Sequence, residues 1–279
     1  MAAPRNMARL WVAPISFSGT AIIPCLRKWR SLEPWLRICG EGTAVAARWR
    51  SDFVLWSEVF AIVNLAFLGL DIFLAHSENS FGRRAEWLPL YFSLVAPPVH
   101  LLAVVARQRQ QRPELWRILG YAVGATAVVV GLAGVIFHLD SQFFYEKTLV
   151  SLTYAAPFVA PLAYTGLGLL LIMNRMVDAA SPEWAQWLLL LTLGGFFGNF
   201  ILSLTDHAED GFFRAAEWIP VVSSAFAVAF LVLPLLIRVT CRYLWVCAGV
   251  LLVQASVGLL GFVYHLTGRP GRPVKESVR

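Results

Sequence analysis

Long apolar runs alternate with short charged ones from residue 53 to residue 265. Roughly 20 apolar residues, rising 1.5 Å each, cross a hydrocarbon layer of about 30 Å. On that rule the chain predicts helices over 53–75, 87–106, 117–138, 148–173, 185–206, 217–237 and 243–265. Two of these runs hold prolines in mid-course, "VAPPVH" (95–100) and "AAPFVAPLAY" (155–164). Proline removes a backbone donor and clashes with the preceding turn, so kinks or breaks are expected there. The fold class expected is an all-α integral membrane protein with seven transmembrane helices, whose first partner is the lipid bilayer.

Composition strengthens this reading. The 279 residues are 58% hydrophobic and 14% charged, against about 45–50% and about 25% in soluble domains. The net charge of +6 does not point to nucleic acid, because Lys and Arg lie between the apolar runs. "RQRQQRPELWR" (107–117) sets four arginines against Glu114, and Arg238 and Arg242 flank the start of the last run. The connections near 76–86, 139–147 and 206–216 are neutral to acidic. Positive segments stay inside, which predicts a cytoplasmic N-terminus, an outer C-terminus and residence in the inner or plasma membrane. Residues 1–52 carry eight Lys/Arg against Glu33, Glu41 and Asp52. They read as a basic cytoplasmic extension without its own fold; a targeting segment or a start placed too far upstream are the alternatives. Residues 266–279 form a short basic tail. Cys25, Cys39, Cys241 and Cys247 lack CxxC spacing and are expected to be free thiols.

The chain also repeats itself. "HSENSFGRRAEWLP" starts at His76, and "HAEDGFFRAAEWIP" starts 131 residues later at His207, with eight of fourteen positions identical. "VGLAGVIFHL" (130–139) returns 127 residues on as "VGLLGFVYHL" (257–266). Two matches at nearly one offset pair the first three helices with the last three, making units 53–138 and 185–265 with 148–173 as linker helix. Four helices separate the partners, so the duplication is parallel (3+1+3), with a pseudo-two-fold axis along the membrane normal. At the level of topology this resembles the SWEET and PQ-loop sugar transporters, although the Pro-Gln signature is absent and the expected orientation is opposite.

One consequence is chemical. His76, His138 and His207 end outward-running helices, each with an acid two residues on: Glu78, Asp140 and Glu209. Histidine with carboxylate suits a divalent transition metal or a polar ligand. The structural alternative is that these side chains cap frayed helix ends. His265 ends the last helix without an accompanying acid. Arg84 with Glu86 and Arg214 with Glu217 read as surface pairs, and Trp87 and Trp218 as interfacial anchors. A second functional reading is a small-solute transporter whose path passes Asp71, Asn64, Asn199 and His100, since intramembrane polar groups mark pathways. A third is a structural or assembly subunit that docks a protein partner. The reaction or cargo is not legible in these residues.

Overall fold

A computed structural model describes residues 52–267, save Asn79, residues 110–112, Ala156 and Asp210, and the side chains of His265 and Leu266. The expected N-terminal extension and basic tail lie outside the described residues. Within them the chain is helical, with no strand. Seven helices of more than one turn or two appear: α1 (Phe53–Ser77), α2 (Trp87–Gln108), α3 (Pro113–Leu139), α4 (Leu162–Met176), α5 (Pro182–Glu209), α6 (Trp218–Leu236) and α7 (Cys241–Thr267). Six of them, all but α4, are long and apolar enough to cross a membrane. Their lipid-compatible faces are plain from residues such as Phe60, Leu94, Val129 and Leu252, which are large, apolar and exposed.

The fourth predicted helix, 148–173, is not continuous. It divides into a five-residue turn (Leu149–Thr153), an irregular stretch and then α4. Pro157 and Pro161 stand between the pieces, and neither can donate to a helix ladder. At 15 residues, α4 is about 22 Å long by its rise. Helix α2 behaves differently and runs on through Pro97 and Pro98.

Helices α1, α2 and α3 pack in series, as do α5, α6 and α7, and α4 lies chiefly on α3 while also touching α1 and α5. The core is built where α4 enters the first group. Ala61 and Leu65 of α1, Ala96 of α2 and Val123 of α3 close on Tyr164, Leu167 and Leu171 of α4. Glycines permit this. A Cβ added to Gly124 would come 2.9 Å from the Gly168 carbonyl oxygen, and one at Gly131 would meet the Thr165 and Pro161 backbone. Rising numbers on α3 meet falling numbers on α4, so the pair is antiparallel. Close backbone approach through small residues is how helices associate where no hydrophobic drive separates them from lipid. The second group has little buried side-chain surface of its own on α5, where Trp184 is the buried residue among those described.

Cys247 is a buried free thiol. Cys241 is disulfide-bonded, a correction to the expectation of free thiols.

The glycine seam gives a direct test. Gly124→Leu should destabilise the bundle by about 1–3 kcal/mol, the usual cost of overpacking. Gly194→Leu, at a site with nothing within 4 Å, should stay within about 0.5 kcal/mol. Denaturant unfolding in micelles reads both, and equal effects would show that the seam is not what holds α4.

Candidate functional site

The two copies of the His…Glu-Trp phrase fold into the same knuckle. Helix α1 ends with Ser80 and Phe81 in the left-handed region (φ 54° and 50°), and α5 ends with Gly211 and Phe212 there (φ 74° and 53°). The Phe81 amide donates to the His76 carbonyl at 3.1 Å, and the Phe212 amide to the His207 carbonyl at 3.0 Å. This six-residue closure satisfies an orphan carbonyl and wraps an apolar side chain over the helix end. Phe81 then stacks on Trp87 at 4.3 Å between ring centroids, and Phe212 on Trp218 at 4.0 Å. A 3-10 turn follows in each, Arg84–Glu86 and Ala215–Glu217, opening α2 and α6. The helix ends are closed by backbone bonds to the histidine carbonyls, and the imidazole rings take no part in that closure.

In the first knuckle the rings converge. His76 and His138 lie edge to face, 6.2 Å between centroids. The Nδ1 of His76 is 3.7 Å from Oε2 of Glu86, and that carboxylate oxygen is buried without a hydrogen-bond partner. His138 is steadied through Nδ1, 3.0 Å from the Pro157 carbonyl oxygen. That carbonyl belongs to the proline break, so the interruption of the fourth helix supplies the acceptor that orients the ring. With Nδ1–H engaged, Nε2 of a neutral His138 is left as an electron-pair donor. Glu86 is therefore no surface partner of Arg84. The sequence did carry its signal, because Glu86 recurs as Glu217 in the second copy.

The rest of the predicted set does not join them. Glu78 and Glu209 are exposed at the ends of α1 and α5, and Asp140 is half-buried just beyond α3. His207 stands against Phe212, 6.2 Å between centroids, on the other helix group. Among the described residues no three His, Cys, Asp or Glu side chains are gathered as a ready metal site. The postulated transport path is also dispersed. Asn64 donates to the Phe60 carbonyl of its own helix at 2.8 Å. Asn199 donates to Ser224 Oγ at 3.2 Å and ties α5 to α6. Asp71 is exposed on α1, and His100 is buried at the opposite end of the bundle.

Compared with protein-family models, curated proteins and solved structures, the chain matches none.

His100 leads to a second constellation, which the sequence reading missed. Glu58 of α1 is fully buried, with His100 Nε2 of α2 at 2.8 Å from Oε2. Arg175 of α4 grips the same carboxylate with both terminal nitrogens, at 2.8 and 2.9 Å. Asn174 Nδ2 donates to Glu58 Oε1 at 2.7 Å and to Ser57 Oγ at 2.8 Å, and its Oδ1 accepts from Trp184 Nε1 at 3.0 Å. The Arg175 guanidinium also lies over the Trp116 ring, 4.6 Å from its centroid. Gly120 leaves room for it, since any Cβ there would fall on the guanidinium. Glu58 and Arg175 sit near opposite ends of the apolar runs in sequence order, where charge is ordinarily dismissed as interfacial. Only the packing of α4 against α1 and α2 reveals them as partners.

Bidentate arginine–carboxylate geometry with every carboxylate oxygen engaged offsets part of the desolvation cost, while Arg175 Nε and His100 Nδ1 stay buried without a hydrogen-bond partner. Removing one partner strands the other in a dry site, so Glu58→Ala should cost about 3–5 kcal/mol. Glu58→Gln with Arg175→Met together should cost clearly less than the sum of the single changes. Reversible unfolding in micelles, followed by far-UV circular dichroism, measures the cycle. Additive effects would dissolve the claimed coupling.

Proposed function

We propose that the protein is a seven-crossing membrane protein that binds a small cation at its outer face. The seventh crossing is the broken one, with α4 and the residues before it together covering the distance that α4 alone does not. Two crossings separate the N-terminus from the arginine-rich 107–117 connection, so with that connection inside the N-terminus is cytoplasmic, the histidine end is outside and seven crossings carry the C-terminus outside. The two like knuckles support a parallel duplication of three-helix units, 53–138 and 185–265.

The observation that carries the function is the Oε2 of Glu86, buried without a hydrogen-bond partner and 3.7 Å from His76 Nδ1. Two ligands on one tetrahedral metal, each about 2.0–2.1 Å away, stand about 3.3 Å apart. A shift of a few tenths of an ångström would let a divalent cation bridge this pair. His138 is close enough to follow as a third ligand, and its Pro157 contact is the kind of support that orients metal-binding histidines. A carboxylate with two neutral imidazoles carries net negative charge and several electron-pair donors, which selects a cation over an anion. The metal ion is one form of that ligand, and a protonated amine is the other.

A carrier reading has one observation in its favour. The Glu58–His100–Arg175 cluster is sealed and lies at the inner end, where it would close a path leading from the outer site.

Binding is tested with the full chain in lipid nanodiscs by calorimetric titration with Zn²⁺ and, separately, methylammonium. Saturable binding of one of them is expected, weakened about 10–100-fold in His138→Ala and at least as much in Glu86→Gln. Binding indifferent to both substitutions, or none with either probe, would refute the outer-face site. Membrane-impermeant labelling of a cysteine placed at Arg109 should succeed only from the cytoplasmic side.

A further inference from the structure

We infer that His207 and Glu217 form a second, separate cation seat at the same face, on a knuckle whose backbone matches the one that carries His76 and Glu86. The inference rests on the outer-face reading above and extends it to the other helix group. The second knuckle reproduces the backbone bonds and ring stacking of the first, although His207 and Glu217 do not close to the ion-pair distance that His76 and Glu86 reach. Arg83 and Arg214 are both extended (φ −112°, ψ 137° and φ −120°, ψ 135°). The Glu86 amide donates to the Arg83 carbonyl at 3.1 Å, and the Glu217 amide to the Arg214 carbonyl at 3.0 Å. The His-to-Phe ring separations are 6.0 and 6.2 Å. With the backbone so closely matched, histidine and glutamate are launched from equivalent positions in both.

The deciding feature is Glu217 itself. Its Oε2 is buried and has no hydrogen-bond partner, the same condition as Glu86 Oε2. A buried carboxylate oxygen without a donor is destabilising unless something positive or donating meets it. One such atom is an isolated defect. Two at equivalent points of two knuckles, each following a half-buried histidine by ten residues, are better explained by a shared ligand chemistry. Glu209 adds negative charge nearby in sequence, where Glu78 does so for the first seat. The two seats cannot be one site, because α1 with α2 and α5 with α6 belong to helix groups joined chiefly through α4.

Zn²⁺ titration of the full chain in nanodiscs, with bound zinc counted per chain, tests this. Two equivalents are expected in the natural chain, one in Glu86→Gln, one in Glu217→Gln and none in the double variant. One equivalent that survives Glu217→Gln and disappears in Glu86→Gln would overturn the inference and leave the first seat standing. One equivalent lost only in Glu217→Gln would uphold the second seat and remove the first. No zinc bound at all would overturn this inference, while methylammonium binding that is lost in Glu86→Gln would still leave the outer-face reading standing. Should Glu217→Gln fail to fold, protection in the natural chain decides. Zn²⁺ should slow diethyl pyrocarbonate modification of His207 at least fivefold, and an unchanged rate overturns the second seat.

Discussion

A charged carboxylate in an apolar bundle must be matched by charge and hydrogen bonds or it will not stay ionised and buried. Glu58 meets that demand with Arg175, Asn174 and His100. Because these groups stand on α1, α2 and α4, satisfying one side chain brings three helices together at a defined height. The requirement propagates outward. Arg175 needs the space left by Gly120 and the face of Trp116. Asn174, turned to Glu58 by its amide nitrogen, presents its oxygen to Trp184 of α5. Trp184 also packs with Leu170 and Met173 of α4. The second helix group is thus fastened to the first at a point set by the ionic cluster.

The other end of the bundle depends on a different constraint, the missing donors of proline. The stretch around Pro157 and Pro161 leaves helical geometry, and its carbonyls need partners or water. One of them takes His138. Packing of Gly131 against Thr165 and Pro161 keeps the start of α4 close enough to α3 for that contact. The break shortens α4 and at the same time positions the ring that faces His76. A feature that looks like a defect in a transmembrane segment is what orients a side chain of the candidate site.

Local sequence decides more at the knuckles than anywhere else. A helix that must stop, a residue tolerating positive φ, a phenylalanine to fold over the end and a tryptophan to stack on it are all read from a span of about a dozen residues. Gly211 takes that left-handed position easily, whereas Ser80 holds it with a side chain. Since the same spans recur, the same bonds recur. That is why duplicated letters yielded duplicated geometry without any help from distant residues.

The sequence by itself determined the membrane class, the approximate limits of six helices and the histidines at helix ends, and it marked two proline sites alike although only the fourth run is interrupted. These follow from hydropathy, chain length and donor chemistry, each local to its segment. Tertiary structure alone decided which polar groups meet. Glu58 and Arg175 are 117 residues apart, and nothing in either neighbourhood names the other. Similarly, spacing along a helix shows that His76, His138 and His207 end their helices, but not which helices are neighbours. Adjacency is set by the glycine seam and the ionic cluster, and it joined His76 to His138 while leaving His207 with its own knuckle. Glu86 lay between these cases: legible as a repeated letter, and recognisable as holding a buried oxygen without a hydrogen-bond donor only once the turn was folded.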